Sequence, residues 1–201
     1  MLIGHHGRKS TTEHADRNRR VRNRTHGGVG GLRGDPASYP NIPVKGTTMQ
    51  IKPIGTIYSP FRTKEECPIQ PLYASGTSGR VEVFEQYAAG LKDIESFTDV
   101  YLLYQFDRAG SVELIRPTFL DDEAHGVFAT RHPCRPNGIG MSIVKVMRRD
   151  NNVLEVEGVD VLDQTPLIDI KPYIPMFDRI EGASNGWLAN KVWRPKPDGR
   201  E

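Results

Sequence analysis

The sequence predicts an all-β domain, a small closed barrel of about seven short strands with a few short helices. Three observations carry this prediction. Short runs rich in β-branched and aromatic residues recur along the chain, several alternating with period two. Many of the 20 glycines and 15 prolines punctuate the gaps between those runs. Little of the chain has helical spacing. Closure is expected because strands this short would otherwise expose unpaired edges.

Residues 51–58 (IKPIGTIY) form the first strand, with Pro53 and Gly55 implying an edge or a bend. Ser59-Pro60-Phe61 ends it, and a loop containing CPIQP (67–71) follows. Residues 79–84 (GRVEVF) alternate cleanly and read as a half-buried strand, with a short helix over 85–91 that Gly90 closes. Residues 99–106 (DVYLLYQF) are apolar at both parities, as in a strand covered on both faces, and exit through Asp107 and Arg108. Residues 111–116 are another strand, halted by Pro117, and 126–130 (GVFAT) another. Residues 141–148 and 153–162 pair as a hairpin across Asp150-Asn151-Asn152, and the change of apolar phase at Gly158 predicts a β-bulge there. The last strand is 167–173 (LIDIKPY), with Asp169 and Lys171 on one face and Ile168 and Ile170 on the other.

Between two of these strands lies RHPCRPNGIGMS (131–142). Pro133 and Pro136 fix φ and remove two backbone donors, while Gly138 and Gly140 permit turns that other residues resist. The loop is longer than a hairpin turn needs, and Arg131 and Arg135 give it anion-pairing capacity. It reads as a binding loop held by a rigid frame, or more blandly as a solvated connection.

Composition narrows the class. No apolar run approaches the ~20 residues of a membrane span, and no signal peptide is visible, so a cytoplasmic location is expected. Cys67 and Cys134 make no disulfide framework, and His125 and His132 lack the spacing of a zinc site, so no metal is expected. Residues 1–48 hold nine Lys/Arg and three Asp/Glu, which leaves 18 basic and 22 acidic residues for the rest. A basic extension poor in large apolar residues is expected to be disordered, with Met49 a candidate natural start. Its arginine cluster, 17–24, could touch nucleic acid electrostatically, and His5, His6, His14 and His26 form no ligand pattern. The expected organisation is an extension (1–48), a barrel domain (49–180) and a short C-terminal segment (181–201).

Four stretches together resemble a known family: IGTIYSPF (54–61), CPIQP (67–71), GVFATRHPCRPNGIGMS (126–142) and DVLDQTPLIDIKPYIP (160–175). They resemble, in order, the TsaA-like (TrmO, YaeB-like) S-adenosylmethionine-dependent tRNA methyltransferases, in a short form without the C-terminal domain. The resemblance implies a β-barrel that binds S-adenosyl-L-methionine, N6-methylation of threonylcarbamoyladenosine beside the tRNA anticodon, and a homodimer. It implies cofactor contacts from Pro68, Ile69, Gln70 and Pro71, from Asp107 and Arg108, from Arg131 and Met141, and from Asp160, Val161, Leu162 and Asp163. Three departures stand out: Gly138 where the family loop has a second proline, which is expected to soften the loop, Ile69 where it has an arginine, and Gln164 where its turn has a glycine.

The cofactor would present a carboxylate, an ammonium, an adenine and a sulfonium. Arg131 or Arg108 suits the carboxylate, since a guanidinium offers a fork of donors. Asp160, Asp163 or Asp107 could accept from the ammonium or the ribose hydroxyls, Gln70 could read the adenine edge, and Met141 offers an apolar contact. The acceptor amine needs a hydrogen-bond acceptor beside it, for which Asn137, Asp160 and a backbone carbonyl of the 131–142 loop are candidates. Two other readings stay open: a methyltransferase acting on a small molecule, which the acidic body favours, and a non-catalytic barrel that binds nucleic acid.

Overall fold

The computed structural model describes residues 50–195. The strands are β1 (Gly55–Tyr58), β2 (Ser78–Val83), β3 (Asp99–Gln105), β4 (Ile115–Pro117), β5 (Ala124–Gly126), β6 (Ile139–Asp150), β7 (Val153–Glu157) and β8 (Thr165–Pro172). Six of them close into a barrel in the order β1-β2-β7-β6-β3-β8, each pair antiparallel. β4 and β5 form a separate two-stranded sheet. The expected basic extension over 1–48 lies outside the described residues.

Alternation builds the core. Ile57, Val81, Val83, Val100, Leu102, Val144, Leu154, Val156 and Leu167 point inward and are almost wholly buried. Each such side chain contributes about 1.5–3 kcal/mol relative to exposure. The double apolarity of β3 has a simple cause. Val100, Leu102 and Tyr104 enter the core, while Tyr101 on the other face meets Tyr173 edge-on at 5.6 Å.

Several sequence expectations change. Gly55 marks no edge, since β1 is paired on both sides; a Cβ there would meet the Glu82 carbonyl oxygen at 2.2 Å, so β2 approaches where only glycine fits. The bulge expected at Gly158 is a chain departure instead. β7 ends at Glu157, and Gly158 turns at φ +92. The barrel's register shifts fall at Val146/Arg148 on β6 and at Leu103/Tyr104 on β3. The second shift leaves Ile168 unpaired in the β3–β8 register and returns Ile170 to the core side. Of 126–130 only Gly126 is in a strand, as the end of β5, because Val127–Ala129 coils into a 3-10 turn that buries Val127. Thr130 seals that turn by donating its N–H and its hydroxyl to the Val127 carbonyl (3.1 and 2.9 Å). Of 111–116, only the end joins β4. The hairpin forms, with a tighter turn and a shorter second arm than expected: Asp150 pairs Val153 across Asn151-Asn152, Asn151 takes φ +52, and β7 stops at Glu157 rather than running to 162.

Candidate functional site

Antiparallel order puts the C-terminal ends of β1, β3 and β7 and the N-terminal ends of β6 and β8 at one end of the barrel. The connections leaving that end line a single cleft of about 870 Å³. Of the sequence candidates, Pro68, Ile69, Gln70, Asp107, Arg108, Arg131, Met141, Asp160, Val161 and Leu162 line it. Cys67 and Cys134 also line it, neither of them in a disulfide.

Polar contacts knit these connections together. Arg131 donates to the Gln70 side-chain oxygen (2.9 Å), joining the 131–142 loop to CPIQP. Arg108 donates to Thr165 Oγ1 (3.0 Å) and pairs with Asp107 (3.2 Å). The Cys67 thiol donates to the Asp160 carbonyl (3.1 Å). Behind them runs a buried relay that the sequence analysis missed: the Tyr104 hydroxyl meets Ser142 Oγ at 3.0 Å, and Ser142 Oγ donates to Asp160 Oδ1 at 2.5 Å. Ser142 is one strand residue from Met141, so an inward hydroxyl at that position is the signal that could have found it.

Burial sets the electrostatics. Desolvation pushes the Asp160 carboxyl up to about 6, against the lowering pull of Ser142 and Arg131. Burial, and then the Asp160 carboxylate, push the Tyr104 hydroxyl far above its ordinary value. His132 goes the other way, to about 4, through burial and then the nearby Arg116, Arg135 and Lys64 charges. It is therefore neutral near pH 7. Its Nδ1 accepts from the Cys134 N–H (3.1 Å), which puts the ring proton on Nε2.

Three sequence candidates stand apart from the cleft lining. Asn137 is exposed and lines no part of it. Pro71 opens a 3-10 turn, Pro71–Tyr73. Asp163 faces a smaller hollow of about 300 Å³ with Arg62, Asp107, Arg108 and Gln164. Its carboxylate accepts from the Ser59 N–H (3.1 Å) and lies 3.8 Å from Arg62, so it ties β1's exit to the β8 entry.

The departures have visible backbone consequences. Gly138 sits at φ +49, a conformation closed to the proline of the family loop. Gln164 sits at φ +62, where the family carries glycine. Left-handed backbone costs a non-glycine residue about 1 kcal/mol. Gln164→Gly is expected to raise stability by roughly that amount in chemical denaturation; a loss of stability would mean that the Gln164 side chain holds the turn.

An apolar part of the cleft lining was not anticipated. Phe119, Leu120, Phe128, Ala129, Trp187 and Leu188 form it. Trp187 stacks on His125 (4.0 Å, 16°) and donates its indole N–H to the Ala129 carbonyl (2.9 Å). Lys191 pairs with Asp121 at 2.6 Å, and Arg194 grips Asp122 with two donors (2.8 and 3.1 Å). Lys191, and then the Glu123 N–H, hold the Asp121 carboxyl below the usual carboxylate range. Isolated positions such as Trp187 carry no periodic signal.

Among the described residues no cluster of His, Cys, Asp or Glu could hold a metal ion, and no helix is long and apolar enough to cross a membrane. The polar cleft wall fits S-adenosylmethionine by its donor set: guanidinium forks, buried carboxylate oxygen and an amide-bearing loop converge there.

Comparison with known proteins agrees with this architecture. The family described as tRNA-methyltransferase O N-terminal domain matches residues 56–179. A probable S-adenosyl-L-methionine-binding protein of Pyrococcus abyssi is 47% identical over 152 residues, 74% of this chain and 83% of that protein. The tRNA (adenine(37)-N6)-methyltransferase of Escherichia coli K12 is 34% identical over 148 residues, 69% of this chain and 63% of that protein. The crystal structure of TrmO from Pseudomonas aeruginosa superposes with a TM-score of 0.59 at 37% identity, over 70% of this chain and 63% of that one. The chain thus spans under two thirds of the length of these two proteins. With a six-stranded barrel whose loops gather at one end, and a family match across that barrel, the chain belongs to the tRNA-methyltransferase O N-terminal domain family.

Proposed function

We propose that this protein is an S-adenosylmethionine-dependent methyltransferase that methylates N6 of the threonylcarbamoyl-modified adenosine beside the tRNA anticodon. The observation that carries the reading is the convergence of CPIQP, Asp107-Arg108, Arg131 and Asp160 on one cleft. The adenine(37)-N6 methylation named for the E. coli relative supports the acceptor, and an anticodon loop can present a base without breaking a duplex.

The cofactor, when bound, supplies an electrophilic methyl group. The chain's own residues align, desolvate and hold. Arg131, anchored by Gln70, is placed to pair a carboxylate. Asp160, fixed by Ser142, offers its second carboxylate oxygen to an ammonium or an acceptor amine. Alignment of reacting atoms can supply about 7–11 kcal/mol of the barrier reduction.

Labelled S-adenosylmethionine with threonylcarbamoylated tRNA tests the reading: label on the adenosine supports it, and label only on a metabolite replaces it with a small-molecule acceptor. That second reading rests on the acidic balance outside residues 1–48. Arg131→Ala is expected to weaken cofactor binding roughly tenfold, the lower range for a charge-assisted hydrogen bond at an exposed side chain. Unchanged affinity in calorimetry would remove Arg131 from that role.

A homodimer in the cytoplasm belongs to the same proposal. Its support is the exposed Met141, Ile143 and Met147 on the outer face of β6, which Lys145 interrupts. Ile143 pairs in register with Tyr101, which meets Tyr173, and exposed Met176, Phe177 and Ile180 follow Tyr173 in the chain. Sedimentation giving only monomer at micromolar concentration would count against a dimer.

A further inference from the structure

We propose that Trp187, with Phe128 and Leu188 beside it, forms the subsite that receives the adenine ring of the methyl acceptor. The inference rests on the methyltransferase reading above and assigns lining residues that reading leaves unused. The cofactor candidates come mostly from the connections between strands. Phe119, Leu120, Phe128, Ala129, Trp187 and Leu188 in the cleft lining are aromatic or aliphatic, and none of them is a cofactor candidate. At about 870 Å³ the cleft lies in the upper part of the ~300–1,000 Å³ range for ligand pockets, so a second ring fits beside a nucleoside cofactor.

The platform is preorganised. One face of the Trp187 ring is taken by His125, and its only polar atom is satisfied by Ala129, so the ring cannot turn freely while still lining the cleft. The segment that carries it is latched downstream. The Asp121 carboxylate is almost buried, with Lys191 at 2.6 Å and His125 at 3.2 Å. Arg194 donates to the Phe119 carbonyl (2.6 Å) as well as to Asp122. Phe128 is 77% exposed although it lines the cleft, and a large apolar ring held open at a cleft mouth suits a flat partner. Aromatic side chains are the usual surface on which an unstacked base is held.

The chain has two tryptophans, so Trp193→Phe leaves Trp187 as the sole indole reporter. In that full-length variant, S-adenosylhomocysteine is added to saturation, and then an anticodon stem–loop carrying the modified adenosine. Quenching that appears only with the RNA is the expected result. In parallel, Trp187→Ala should raise KM for the stem–loop at least about tenfold with S-adenosylhomocysteine affinity unchanged, and Trp187→Phe should recover most of the loss. Quenching by S-adenosylhomocysteine with no further change on RNA would transfer Trp187 to the cofactor and overturn the proposal, as would no quenching by either. Label transfer by the unaltered protein reads the tRNA assignment separately. If it fails while a free adenine nucleoside quenches Trp187, the tRNA substrate falls and the base subsite stands.

Discussion

Asp160→Asn is expected to make the protein more stable at pH 7 and a poorer methyltransferase. The Asp160 carboxyl is raised from an ordinary 3.8 to about 6 by burial. A folded-state value above the unfolded one means that the native state holds the proton more tightly. Stability is therefore greatest below about pH 4 and is lost as pH climbs toward 6. A shift of about two units corresponds to roughly 3 kcal/mol of cost at neutral pH. Asparagine keeps an oxygen that can accept from Ser142 and carries no charge to desolvate, so that cost disappears. The variant should melt higher by roughly 5–10 °C at pH 7, and the gain should shrink toward zero near pH 4. His132 titrates in both proteins, so the difference between the two melting curves isolates Asp160. Parallel curves across that range would show that the carboxylate is well solvated in the native protein. Meanwhile the lost charge should lower cofactor affinity or turnover, because the oxygen not held by Ser142 no longer attracts an ammonium or an acceptor amine. A residue that costs stability in place and gains it when neutralised is the pattern expected where function sets the choice.

Strands were legible where one parity meets the core, as in β2 and β7, and the β6–β7 turn was legible because Asn151-Asn152 tolerates φ above zero. The grouping of CPIQP, the 131–142 loop and the DVLD segment came from resemblance, since their spacing says nothing of proximity. Residues 126–130 misled, because GVFAT has strand-forming side chains yet follows a separate two-stranded sheet and turns to bury Val127. Asp160 was a candidate and the inward hydroxyl of Ser142 was a usable signal, but the contact that joins them to Tyr104 spans three elements that spacing cannot bring together. Trp187 was invisible for the same reason: one of two indoles in a polar C-terminal stretch, it gains meaning only when His125 and Ala129 meet it.

Gly140→Ala should destabilise the barrel by about 2–3 kcal/mol and dismantle the relay with it. Gly140 faces Tyr104 across the β3–β6 pair, and the tyrosine ring lies over it. A Cβ at Gly140 would stand 2.1 Å from Tyr104 Cε2 and 2.5 Å from Cζ, so the ring must move. It has little room, being only 4% exposed and set edge-on to Phe106 at 5.3 Å. Overpacking of this kind costs about 1–3 kcal/mol. Losing the Tyr104–Ser142 hydrogen bond adds about 1 kcal/mol, and the lower chain entropy of alanine in the unfolded state returns about half a kilocalorie. Since Ser142 also holds Asp160, cofactor affinity should fall alongside stability. The cause can be isolated by pairing Gly140→Ala with Tyr104→Leu, which removes the ring atoms that the methyl meets. If the clash is responsible, the double variant should be less destabilised than the sum of the single ones by at least about 1 kcal/mol. Strict additivity would place the role of glycine in the backbone of β6 instead, and would leave the position of Tyr104 to be explained by its hydrogen bond to Ser142 alone.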